Sequence, residues 1–290
     1  MAENLTEKLA KAQSIDFVEN FGKSISSLLT MLGVQRKFPM AAGSVIKTYK
    51  SKVTLQNGEV AKGEIIPLSK VEMEEAEPIE LAYSKHRKAV AVEDIQKYGF
   101  ARAIAMTDEK LVRELQKEVR GNFFLQLEKG TTSVDGEGLQ GALAQAWGNV
   151  QTKFEDDGAM TIAFVNPMDV SDYLAKANIT IQNAFGLNYV ENFLGVNIVI
   201  ITPQIKAKTV YATAAENLCF AYPIVNGGEI SKAGFDFVTD ETGIIGITHA
   251  INKERLTAET TTLSGGALFA ERLDGIIKIT IKAAATPSVW

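Results

Sequence analysis

TDEKLVRELQKEVRGNFFLQLEK, residues 107–129, places Leu111, Leu115, Val119, Phe123 and Leu127 at steps of four, with Val112 and Phe124 widening the stripe. Steps of three and four return side chains to one face of a helix, so the spacing predicts one long amphipathic helix. Thr107 suits the N-cap, Asp108 and Glu109 suit the first turn, and Gly130 is a natural stop. At 1.5 Å per residue such a helix spans about 30 Å.

Upstream, from Gly43 to about Leu68, the period drops to two. Val45, Tyr49, Val53 and Leu55 share a face with Lys47 and Ser51, while Thr48, Lys50, Lys52 and Thr54 hold the other. That reads as a long strand, wet on much of both faces. Asn57-Gly58 is the strongest hairpin signal in the chain, and the return strand is expected through Val60, Gly63, Ile65 and Ile66 to Pro67. An isolated two-stranded ribbon is marginal in water, so this one needs a surface to lie on, its own domain or another. Nearer the N-terminus, Asn4 to Lys11 is a short helix candidate. Ser14, Ile15 and Asp16 open a second, with Phe17, Phe21, Ile25, Leu28, Leu29 and Leu32 on one stripe before Gly33. That stripe must be buried against the chain's own body or against a neighbouring subunit. Between ribbon and long helix, Val71 to Val92 is charged and strand-like, with Pro78 marking an edge or a break.

Downstream of TTSVDGEG, which reads as a loop, strands and helices alternate. Leu139 to Phe154 is expected as a helix with Leu143 and Trp147 inward, Met160 to Val165 as a strand, and Met168 to about Lys176 as a helix opened by Asn166-Pro167. Val196 to Thr202 is a buried strand, and Val210 to Thr213 and Leu218 to Tyr222 are short ones. From Phe235 to Ile281 the chain is β-rich.

Chemistry-bearing patterns are scarce in these 290 residues. The net charge of −5, with Lys and Arg interspersed among Asp and Glu, offers no basic patch for a phosphate backbone. Of the two histidines, His86 lies in the basic run SKHRK and His249 alternates with Ile247 and Ile251, so they read as a solvated and a packed side chain. The one cysteine, Cys219, cannot form an internal disulfide; it reads as a buried small hydrophobe in a chain suited to a reducing compartment. Gly265-Gly266 lacks the Lys-Ser/Thr of a phosphate loop, Asp156-Asp157-Gly158 reads as a turn, and Glu72, Glu74 and Glu75 as a solvated face. No metal-ligand spacing, cofactor motif or catalytic constellation emerges, and the expectation is a non-enzymatic protein. The charged start MAENLTEKLAKAQ is unlike a signal peptide and no run is long enough to span a bilayer, so a soluble chain made in the cytoplasm is expected.

Certain local texts carry a family likeness. Phe164-Val165-Asn166-Pro167-Met168-Asp169 leads from strand to helix, and is followed by Phe193-Leu194-Gly195-Val196-Asn197-Ile198-Val199-Ile200 and then Val210-Tyr211-Ala212-Thr213. Together with the order of elements, this succession resembles the major capsid proteins of tailed bacteriophages. The resemblance implies an α+β fold with an N-terminal arm (1–43), an extended β-hairpin loop (44–70), a peripheral domain with a spine helix (71–131, the helix at 107–129), an axial domain (132–240) and a return to the peripheral domain (241–290). It further implies a virion protein that closes into pentamers and hexamers around double-stranded DNA without reading its sequence. Its other partners would be a portal and, because the arm is short, a separate scaffolding protein. Contacts between subunits would run through Lys50, Lys52, Asn57, Gly58, Glu59 and Lys62 of the ribbon and Phe17 and Phe21 of the arm. Mixed charge there, Lys47, Lys50, Lys52 and Lys62 with Glu59 and Glu64, favours pairing of opposite signs across an interface. Two other readings stay open: a nanocompartment shell of the encapsulin type, and an α+β enzyme whose site would rest on Asp, Glu or Lys alone.

Overall fold

The structure is a computed structural model of the chain. It describes residues 2–54, 56, 65, 68, 70–75, 77–155, 159–174, 181–184, 187–225, 230, 232–239 and 241–283, with the backbone alone for 2–12, 49–53, 71, 73–74, 172–174 and 184.

The two N-terminal helix candidates are one helix, α1 (Ala2–Met31). Ser14, Phe17, Val18, Phe21, Ile25, Leu28, Leu29 and Leu32 are all buried, at the spacing the stripe predicted. Gly33 ends the helix with φ of +60°, while the Val34 N–H reaches back to the Leu29 carbonyl at 2.8 Å. The strands β1 (Arg36–Met40) and β2 (Val45–Ile46) lead into a ribbon of β3 (Tyr49–Thr54) and β4 (Lys70–Glu75). The partner of β3 therefore differs from the expected return strand at 60–66: the register pairs Thr54 with Lys70 and Tyr49 with Glu75. Apart from Gln56, Ile65 and Leu68, the intervening segment, with the expected Asn57-Gly58 tip, lies outside the described residues. In this register Lys50 is opposite Glu74 and Lys52 opposite Glu72.

After β5 (Ile79–Glu80) and β6 (Ser84–Ala91), the short helix α2 (Val92–Tyr98) turns at Gly99, φ +82°, into the long helix α3 (Phe100–Leu127). The predicted helix is there, but it starts seven residues before Thr107 and runs roughly 42 Å. Thr107 is no cap. Its hydroxyl donates back to the Ala103 and Ile104 carbonyls and accepts from Lys88 Nζ at 2.5 Å. Asp108 beside it is buried in an ion pair with Lys88 at 2.5 Å. Both polar residues answer to β6, which a local cap rule cannot see. Gly130 has a spatial reason as well, since a Cβ there would meet Ile276 at 2.7 Å.

TTSVDGEG is a strand rather than a loop: β7 (Thr132–Glu137) pairs in parallel with β18 (Ile277–Lys282), more than a hundred residues on. A Cβ on Gly136 would lie 2.5 Å from Ala142, so only glycine lets β7 close against α4 (Gly138–Lys153). On α4 the inward face is Leu139, Ala142, Leu143, Ala146 and Val150; Trp147, expected inward, is 48 % exposed. The small Ala142 and Ala146 bring the helix close to the sheet and turn Trp147 off the contact line. There follow β8 (Thr161–Val165), α5 (Pro167–Leu174), β9 (Gln182–Ala184), β10 (Leu187–Phe193), β11 (Val196–Ile201), β12 (Thr209–Ala214), β13 (Leu218–Pro223), β14 (Val238–Thr239), β15 (Ile245–Asn252), β16 (Thr257–Ser264), β17 (Ala267–Ala270) and β18 (Ile277–Lys282). Asn166 caps α5, its Oδ1 accepting from the Met168 N–H at 2.9 Å.

The central mixed sheet has the order β7-β18-β12-β8-β11-β10-β9. Every residue of β8 is buried, because both faces of this middle strand are covered. Ile162 and Phe164 join the core of α1 and α3, where the Phe164 ring lies 5.5 Å from Phe123 and 5.8 Å from Phe124. Ala163 and Val165 face the other way, into the core under α4. Two smaller sheets, β1-β13-β17 and β14-β15-β16-β6, complete the body, and α1 lies on β14 and β15. The chain is thus α+β.

Candidate assembly surface

The β3–β4 ribbon joins the body at a neck formed by β2 and β5, and β3 passes beside Leu273–Gly275. Leu81, just after β5, is buried, and its N–H and carbonyl bond Ser44 and Gly43. The two-residue ladder of β2 with β5 sits beside it. Lys47 and Glu75 form an ion pair at 2.6 Å, and Lys129 at the end of α3 holds Glu77 at 2.9 Å and its carboxyl below the ordinary range. Both pairs are exposed and screened by water, so they orient the neck more than they stabilise it.

Beyond the neck, Ile65 is 94 % and Leu68 92 % exposed. These two aliphatic side chains are the most exposed large hydrophobics among the described residues. The sequence reading placed Ile65 on a strand and gave Leu68 no role. The signal was available: Ile65-Ile66-Pro67-Leu68 is the one apolar run in an otherwise polar ribbon. Of the expected contact residues, Lys50 and Lys52 lie on β3, whereas Asn57, Gly58, Glu59 and Lys62 lie outside the described residues. Phe17 and Phe21 are 4 % and 1 % exposed within their own chain. Both belong to the main hydrophobic core of the chain itself.

The candidate chemical residues are absorbed by the fold. His86 Nε2 lies 2.9 Å from Glu118 and 2.8 Å from Ser84 Oγ, all on a half-exposed face. Cys219 is buried on β13, and burial pushes its thiol up, against the pull of Arg36. Gly265 and Gly266 admit Pro223 and Phe220, which a Cβ would meet at 2.5 and 2.8 Å. Among the described residues, no group of three or more His, Cys, Asp or Glu side chains is placed to hold a metal ion, and no helix is long and apolar enough to cross a membrane.

No protein-family model and no curated protein sequence matches the chain. Solved structures do. The capsid of a native GTA particle superposes with a TM-score of 0.57 at 7% identity, over 89% of this chain and 90% of that one. This chain has the tailed-phage capsid fold. The mature capsid of bacteriophage PhiM1 matches at 0.53 and 8%, covering 87% of this chain and 86% of that one. The holo encapsulin complex from Synechococcus elongatus matches at 0.54 and 9%, covering 90% of each. The likeness inferred from element order therefore extends over most of the chain, and it spans both capsids and encapsulins.

Proposed function

We propose that this chain is the structural subunit of an icosahedral phage head, closing into pentamers and hexamers around double-stranded DNA. The observation that carries the reading is the capsid fold over nearly the whole chain together with a ribbon that presents Ile65 and Leu68 to solvent. A ribbon lying over a neighbouring subunit would bury that pair, and head-to-tail contacts of this kind close into rings. In this reading the body divides as the sequence suggested, with residues 71–131 and 241–290 peripheral and 132–240 around the capsomer axis. A portal and a separate scaffolding protein complete the assembly, and the finished subunit resides in the virion. The protein acts by packing and not by catalysis.

The encapsulin reading is supported by the equal likeness to the Synechococcus elongatus complex. Both readings require a closed shell. Negative-stain microscopy of the purified chain, with and without the proteins encoded beside it, tests them together: rings, tubes or closed particles are expected. A monodisperse monomer in both conditions would overturn the shell reading. The contents of native particles then separate the two, DNA with a portal supporting a phage head and an enclosed enzyme supporting a nanocompartment.

A further inference from the structure

Where α1 crosses the four-stranded sheet, a half-buried polar cluster lies under the helix. Ser14 of α1 is 2 % exposed, and its Oγ lies 2.6 Å from His249 Nδ1 on β15. The other ring nitrogen, Nε2, is buried and has no hydrogen-bond partner among the described residues. Around the ring, β6 contributes Lys88 and α3 contributes Asp108, which bind each other at 2.5 Å and are only 15% and 11% exposed. Opposite His249 in the ladder, β16 contributes the uncharged, buried Thr260. From α1 itself, Gln13 donates to the Ala101 carbonyl at 3.2 Å, and Asp16 faces solvent. The one nearby carboxylate is thus already matched to the one nearby ammonium. A proton added to His249 would place a second cation beside Lys88, with the single carboxylate of Asp108 to serve both.

We propose that the Ser14–His249 contact is an acid-released latch: proton uptake by His249 loosens the N-terminal helix α1 from the body of the subunit. The sign follows from linkage. Burial, the largest influence, holds His249 below its ordinary value of 6.5, with Lys88 acting in the same direction and Asp108 against it. Once α1 lifts, the ring regains water and its ordinary value. The open state then binds more protons, and opening grows as pH falls through about 6.5. A single proton makes the opening equilibrium at most about tenfold larger per pH unit.

Hydrogen–deuterium exchange of the full chain between pH 8 and 5, corrected for intrinsic rates, reads this directly. The expected result is exchange in α1 peptides that rises toward tenfold per unit below about 6.5, while β8 and α4 stay protected. In His249→Gln, which cannot take up a proton in this range, the rise should disappear; in Ser14→Ala exchange should be raised already at pH 8 and the slope kept. The same slope in His249→Gln, or α1 protection in the parent that is flat with pH, would overturn the latch. Should His249→Gln not fold, proton NMR of the parent decides, with the second histidine removed as His86→Asn. A His249 ring that titrates at or above 6.5 while α1 remains protected would refute the proposal, and one that titrates only as α1 opens would sustain it.

Discussion

Replacing Ile65 and Leu68 together by serine separates folding from assembly. Both side chains are already more than nine-tenths exposed, so the double variant Ile65→Ser/Leu68→Ser loses no intramolecular burial. Its unfolding free energy should stay within about 0.5 kcal/mol of the parent, as for surface changes elsewhere. Assembly is another matter. Fully burying one such side chain contributes about 1.5–3 kcal/mol, so covering both contributes about 3–6 kcal/mol per subunit. At 1.4 kcal/mol per factor of ten, the lower bound raises the subunit concentration needed for assembly by about a hundredfold. Thermal unfolding followed by circular dichroism measures the first quantity. Light scattering over a dilution series, with particles verified by microscopy, measures the second. An unchanged melting curve with the assembly threshold moved upward is the expected pair of results. Particles forming at the parent's concentration would refute the assignment of this surface to a subunit contact.

Phe21→Ala should act in the opposite way: the side chain is 1 % exposed in the subunit's own core, and its loss should cost about 3–5 kcal/mol in urea unfolding. Lys88→Met strands Asp108 as a buried charge and should cost about 3–5 kcal/mol, whereas Lys88→Met combined with Asp108→Leu should recover most of it, a double-mutant cycle that unfolding curves can close. Cys219, buried and with its thiol raised by burial, should resist alkylation by iodoacetamide at pH 8 and react at the rate of an ordinary thiol once the chain is unfolded, as mass spectrometry would follow.

How far the sequence reached can be judged residue by residue. The stripes of α1 and α3, the buried runs of β8 and β11, and the stop at Gly33 were all legible, because each depends on spacing within a few turns of chain. The resemblance drawn from Phe164–Asp169 and the segments after it pointed to a fold that the solved capsids share. The ribbon was legible as a strand but not in its register, because the partner of Tyr49–Thr54 is a segment some twenty residues away, beyond the reach of local periodicity. The apolar run that holds Ile65 and Leu68 is visible in the sequence, but that the two side chains stand bare is a property of the folded surface.

What the sequence determined alone is which segments are amphipathic and where they stop. The tertiary structure decided the rest. It started α3 at Phe100 because Lys88 claims Thr107 and Asp108, and made a strand of Thr132–Glu137 because β18 lies beside it. It placed Phe17 and Phe21 in the chain's own core. It also brought Ser14 to His249 across 235 positions of chain. Periodicity is written by near neighbours along the chain, whereas charge pairing, register and burial are written by groups that meet only after the chain has closed on itself.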